Sequence, residues 1–483
     1  MSDRFAKFWS QFEAVKEAMP DRAPLVYPPT AEPGNGIAPE FVYEDGHGLF
    51  GPTVTDRPQV RHELRLGTAD TDQSDKPVQR LPVHGDMLEF LDKVALRGND
   101  ATAHHLVSIC PVNLCPADEP AAAEQPYWPP YNPDGGGDGV KIRVLDTGLF
   151  DGYKNITVVA DADGRRRDTF VTVPILPAPT SPFGQVGGTD AGAVSGGTEQ
   201  LIRLYAGHGT FIAGLIGCIA PGASVYVERS FELAGTLWEY ELGPTLLYAL
   251  QARPDIISLS AGGTSHCRKP YLGLQEFLEA LARDDHTLLI AAAGNEGAPQ
   301  LLTPAAAAPG RSLTGNAADP PSIVAVGALR GDHDGVACFS NYGPGVTVYA
   351  PGERMVGVFP KGRYEYVEPH FDTCQYHDPV LYDHCTCVTK PKPGERKDFA
   401  NVARWSGTSF ATPIVAAMTA AHYAQIPGRF PSPRHAFADL LKTEGKPFHL
   451  DPRDDTSAMG VRLVPALMDR SNHVPRDGRI RLA

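Results

Sequence analysis

The sequence predicts an α/β protein: a mainly parallel sheet with helices on both faces, and a small N-terminal α/β region in front of it. Three observations carry that expectation. Beyond Gly139, short and almost unbroken apolar runs alternate with apolar segments of helical length, the pattern of strands buried on both faces. Those segments begin or end on a polar residue flanked by glycine. The 49 glycines and 45 prolines among 483 residues demand many turns and inserted loops.

Taken in order, Phe5, Phe8, Trp9, Phe12, Val15 and Met19 recur at helical spacing and draw an amphipathic helix whose apolar face needs a partner. Pro20 to Pro52 is rich in proline and glycine and poorly patterned. Val60–Leu66 then reads as a strand, Met87–Leu96 as a helix and His105–Val112 as a second strand. These lie in an N-terminal region, residues 1–115. Residues 116–139, with YWPPYNPDGGGDG, read as a linker unable to hold helix or strand. Residues 140–483 form the main domain, with insertions at about 160–205 and 363–402. Its strands are Lys141–Leu145, Val225–Val227, Ile256–Leu259, Leu288–Ala292 and Ile323–Val326; its helices are Gly209–Ile219, Leu274–Ala282 and Ser409–Tyr423.

Composition narrows the function. Lys and Arg number 43 against 57 Asp and Glu, a net charge of −14, which does not suit a phosphate backbone. Nucleic acid is excluded as a partner. No run of 18 apolar residues spans a membrane, and the charged, aromatic N-terminus lacks the apolar core of a signal peptide. The expected compartment is the cytoplasm, with no membrane partner. Oligomeric state is not legible. Eight cysteines leave the redox question open, but Cys218, inside the apolar run Phe211–Ile219, reads as a buried small hydrophobe.

Four blocks carry chemistry. The strand KIRVL runs into Asp146-Thr147-Gly148, and the helix FIAGLIG follows Gly207-His208-Gly209-Thr210. LLIAAA runs into Gly294-Asn295-Glu296-Gly297, and the late apolar helix opens with Gly407-Thr408-Ser409-Phe410-Ala411-Thr412-Pro413. In open parallel sheets, functional groups gather at strand carboxyl ends and facing helix N-termini. One acid, one imidazole, one amide and one hydroxyl are what acyl transfer by an activated serine needs.

These blocks, in the order Asp, His, Ser, resemble the signatures of subtilisin-like serine proteases. AAAGNEG at Ala291–Gly297 is similar to that family's oxyanion segment, and SIVAVGAL with FSNYGPGVTVYAPG to its downstream core. The resemblance covers roughly Lys141 to Ala424 and implies a serine endopeptidase acting on protein or peptide. It implies Ser409 as nucleophile, His208 as base, Asp146 as the residue orienting His208, and Asn295 as oxyanion donor. It implies Ser260, Ala261 and Gly262 as one wall of the substrate pocket and Gly315 as the opposite floor. Phe410 stands where many relatives carry methionine. The alternatives are a peptide transferase or cyclase on the same chemistry, and a non-catalytic peptide-binding scaffold.

No cofactor is required for this chemistry. Structural calcium is common in the family, and no motif places its ligands here. In the second insertion, Cys374, His377, His384, Cys385 and Cys387 offer three alternatives: a zinc site, a disulfide or free thiols. The segment between Asp146 and His208 reads as an exposed loop near the cleft. The strand–helix–strand unit resembles half of the family's N-terminal prodomain, with cleavage expected within Cys110 to Pro120; a permanent accessory domain is the competing expectation.

Overall fold

In the computed structural model the described residues are 5–68, 76–95, 100–109, 119–122, 136–150, 176–177, 194–196, 199–231, 235–309, 320–367, 391–450, 459–466 and 468. A nine-stranded sheet runs in the order Lys446–His449, Met459–Arg462, Val348–Pro351, Ile323–Leu329, Leu288–Ala292, Ile256–Leu259, Lys141–Asp146, Ser224–Arg229, Leu176–Pro177. All neighbours are parallel except the first two, an antiparallel pair at one edge. The alternation of Lys141–Asp146 shows that both faces are covered. Asp146 meets His208 of the helix His208–Ile219, whereas Arg143, on the opposite face, lies over Tyr248 of the helix Glu239–Gln251. Burial on both faces is why these strands read as unbroken apolar runs. Cys218 is buried as expected, and desolvation pushes its thiol up.

The N-terminal region builds a second sheet with strands in the order Pro24–Tyr27, Phe41–Phe50, Ala101–Ser108, Thr236–Trp238; Gln79–Pro82 also pairs with Phe41–Phe50. Thr236–Trp238 comes from the main domain, so the two parts of the chain share this sheet. The helix Ala6–Ala18 finds its partner here: Phe8, Phe12 and Val15 pack with Val26, Val42, Leu106 and Trp238.

Several expected elements differ. Val60–Leu66 is not a strand: Pro58–Glu63 is a short helix with proline at its start, and Leu66 makes one isolated bridge to Val83. Pro20–Pro52 holds two strands, the longer one irregular between Tyr43 and Gly48, which breaks the alternation that would have marked it. The strand expected from His105 already begins at Ala101. Within the expected linker, Ala121–Ala122 pairs with Val402–Trp405. The described parts of the first insertion are strands, and Leu176–Pro177 extends the central sheet. The base of the second insertion is an antiparallel pair, Gly362–Glu365 with Arg396–Phe399.

Candidate active site

Three adjacent parallel strands each deliver a polar residue to one end of the sheet. Lys141–Asp146 ends on Asp146, Ile256–Leu259 runs into Ser260, and Leu288–Ala292 leads through Ala293 and Gly294 into Asn295. Two helices start over the same end: His208–Ile219, with His208 first, and Thr408–Ala424, with Ser409 second. The two helices pack on each other, with Phe211 and Phe410 in contact at 4.6 Å between ring centroids.

Asp146 is fully buried, and its two carboxylate oxygens lie 2.8 and 2.9 Å from His208 Nδ1. The Thr147 N–H donates to the same carboxylate at 2.8 Å. An ionised carboxylate only accepts, so Nδ1 carries the proton and Nε2 is the basic nitrogen. The helix reaches the strand end because residue 209 is glycine: a Cβ there would stand 2.5 Å from Gly148 O. Trp405 meets the imidazole edge-on at 5.4 Å and Phe410 at 5.3 Å, leaving His208 3% exposed. Apolar rings beside the imidazole lower the local dielectric and strengthen its pairing with Asp146.

Ser409 Oγ donates to Ser260 O at 3.4 Å, while Ser260 Oγ donates to Ser409 O at 2.8 Å. Asn295 Oδ1 accepts both the Thr408 N–H and the Thr408 hydroxyl, each at 2.8 Å. A backbone N–H can only donate, so this pairing assigns the oxygen and leaves Nδ2 as the outward donor. Asn341 pins the turn that carries Asn295. Its Oδ1 accepts from Glu296 N and Ala298 N, and its Nδ2 donates to Ala293 O and Glu296 Oε2. Sequence reasoning does not reach these supporting roles of Thr408, Asn341 and Trp405. The first two sit inside quoted motifs, but nothing local marks Trp405 as a neighbour of His208.

Of the expected wall Ser260, Ala261 and Gly262, the glycine is paired with the chain itself. Ser108 and Gly262 exchange both backbone hydrogen bonds at 3.0 Å, and the Ile109 N–H donates to Gly235 O at 3.0 Å. Close by in sequence to Ser409, Ala121 and Ala122 pair antiparallel with Arg404 and Ala403. Gly315 lies outside the described residues, as do Cys374, His377, His384, Cys385 and Cys387. Among the described residues no cluster of three or more His, Cys, Asp or Glu is arranged to hold a metal ion, and no helix is long and apolar enough to cross a membrane.

The chain matches the family model described as the subtilase family over residues 137–451. It is 27% identical over 237 residues to an intracellular serine protease of Paenibacillus polymyxa, covering 47% of this chain and 61% of that one. It is 29% identical over 191 residues to the major intracellular serine protease of Bacillus subtilis, covering 37% and 55%. With an alkaline protease of Alkalihalobacillus alcalophilus it shares 26% over 296 residues, 59% and 62% of the two chains. The chain therefore spans less than two thirds of these relatives' lengths. Among solved structures it is similar to the patellamide maturation protease PatA, at 23% identity and TM-score 0.43 over 69% of this chain and 97% of that one. The prenylagaramide maturation protease PagA gives 21% and 0.43 over 69% and 94%.

Proposed function

This chain belongs to the subtilase family, and from that premise we propose that it is a serine endopeptidase working through an acyl-enzyme on protein or peptide substrates. The carrying observation is the buried Asp146–His208 pair placed against the helix that begins at Thr408 and Ser409. Ser409 Oγ attacks the scissile carbonyl and passes its proton to His208 Nε2; His208 then gives it to the leaving amine, with Asp146 holding the tautomer. Water enters by the same route and releases the acyl group. Asn295 Nδ2 and the Ser409 N–H stabilise the oxyanion at the positive end of the helix. The chemistry needs no cofactor. We place the protein in the cytoplasm, following the two relatives named intracellular. An active-site serine probe that labels wild type and not Ser409→Ala tests the assignment; equal labelling of both overturns it.

The N-terminal region is proposed to be a prodomain. Support comes from the path of the chain: Ser108 pairs with Gly262, two residues beyond the Ser260 carbonyl that accepts the Ser409 hydroxyl, and Ala121–Ala122 pairs with the strand leading to Ser409. Cleavage within Cys110 to Pro120 then separates the two. Intact-mass measurement of wild type beside Ser409→Ala decides between this and a standing accessory domain. If both remain full-length while wild type cleaves peptides, the prodomain reading is wrong.

A further inference from the structure

A strand held by backbone hydrogen bonds on both sides is bound whatever its sequence, so selectivity comes from the pockets that receive its side chains. Ala101–Ser108 is such a strand. Leu106, Val107 and Ser108 pair with Trp238, Leu237 and Thr236 on one side, and Ser108 pairs with Gly262 on the other. The register locates the bond to be cut. Antiparallel to Gly262, a bound peptide brings the residue two places beyond its Gly262 partner level with Ser260, whose carbonyl accepts the Ser409 hydroxyl. The residue immediately before the scissile one therefore stands where Ile109 stands.

That place is built for a branched aliphatic side chain. Ile109 is 2% exposed and fills the space left by the missing side chain of Gly235: a Cβ there would lie 2.5 Å from Ile109 Cγ1, 2.6 Å from Cδ1 and 3.3 Å from Tyr205 Cδ2. Two residues earlier, Val107 is fully buried opposite Leu237. Ser108 between them instead accepts from Gln11 of the N-terminal helix, so its side chain is read by the chain's own N-terminal region.

We infer that this groove selects substrates with isoleucine or valine immediately before the residue at the scissile bond, and that Gly235 and Tyr205 set that preference. The inference rests on the proposed endopeptidase activity. A smaller residue leaves a void against Gly235, and an aromatic one meets Tyr205.

The test uses full-length protein, wild type and a Val107→Asp/Ile109→Asp variant that weakens the resident strand, both titrated with the serine probe. Each is given synthetic peptides identical except for Ile, Val, Ala, Gly, Phe or Asp at the position before the scissile residue. Isoleucine and valine peptides should be cleaved about tenfold or more faster in kcat/KM, the scale of discrimination one or two methylenes provide. Gly235 has a φ of +63°, so Gly235→Ala brings backbone strain that falls on all peptides alike; beyond that common loss, the isoleucine rate should drop about tenfold more than the alanine rate, acting through KM. Equal rates across the series, no cleavage of any peptide by unlabelled protein whose Ser409 the probe labels in a parallel sample, or an equal loss on all peptides in Gly235→Ala overturns the inference. Failure of the probe to label Ser409 strikes the endopeptidase reading instead.

Discussion

The carboxyl end of the central sheet and the seam between the N-terminal region and the main domain both bury charged and polar groups, but they treat them differently. At the sheet end, each group is held by one side and kept available on the other. Asp146 takes His208 Nδ1 and leaves Nε2, and Thr408 takes Asn295 Oδ1 and leaves Nδ2. At the seam, buried groups mostly consume one another. His105 Nδ1 donates to Glu239 Oε1 at 2.9 Å while its Nε2 accepts the His266 N–H at 3.0 Å, and Tyr271 stacks on its ring. His104, equally buried, bonds Glu44 through Nδ1 at 2.6 Å, and Arg80 holds the same carboxylate with two bonds. Yet His104 Nε2 is buried without a partner beside the Trp238 ring. The unconsumed nitrogens at the sheet end are the ones the proposed chemistry uses; the unpartnered His104 Nε2 at the seam is a cost of burial.

Ser409→Ala should affect only the first region, and most strongly. Peptide hydrolysis should fall by about 10⁴ or more, with circular dichroism and melting temperature unchanged. Wild-type-like activity would remove Ser409 from the chemistry. Next in size, Asn295→Ala should lower kcat by about 10²–10³ with little change in KM, because the oxyanion exists only along the reaction path. A pure KM effect would make Asn295 a substrate-binding residue.

Thr408→Val sharpens the comparison. It removes the hydroxyl bond to Asn295 and keeps the backbone bond. A kcat loss of up to about tenfold is expected, the worth of one hydrogen bond that orients the amide. No change would mean that the Thr408 N–H, together with the turn that Asn341 pins, suffices to orient Asn295.

The smallest effect belongs to the seam. Burial, only partly offset by Glu44, lowers the His104 pKa from 6.5, while burial of Glu44 is outweighed by His104 and Arg80, which hold that carboxyl well below its usual range. Buried His104 therefore favours the neutral form, while an imidazole exposed on unfolding, with its ordinary value of 6.5, takes up a proton below that pH. Its contribution to the stability of this packed region is present above that pH and fades as pH falls, by at most about tenfold per pH unit for one proton. Arg22 and His47 also face Glu44, and Glu239 adds to the field at His104. Protection factors for hydrogen exchange at Ala101–Ser108, taken relative to the intrinsic rate at each pH, should fall between about pH 7 and 5.5, and His104→Phe should blunt that fall. An identical pH response in the variant would place the sensitivity elsewhere.

How much was legible follows from where each interaction lies along the chain. Lys141–Asp146, His208–Ile219, Leu288–Ala292 and Thr408–Ala424 show themselves because doubly buried strands and apolar helices leave dense local patterns, and glycines mark where their ends must approach closely. Phe41–Phe50 does not, because Glu44 inside it is only 2% exposed and needs Arg80 and His104 from other strands. Val60 suggested a strand, but Pro58 at a helix start and the packing of Val60 against the N-terminal core decided for helix.

By itself the sequence determined the α/β architecture, the four residues Asp146, His208, Asn295 and Ser409 and their setting at element ends, since each rests on a few consecutive residues. Only the tertiary structure decided that Thr236–Trp238 completes the N-terminal sheet, that Ser108 pairs with Gly262 and Ile109 with Gly235, and that Trp405 walls His208. These contacts join segments separated by more than a hundred residues. They form because a sheet edge, a glycine-lined groove and a buried imidazole each need a partner, and folding alone determines which distant segment arrives to supply it.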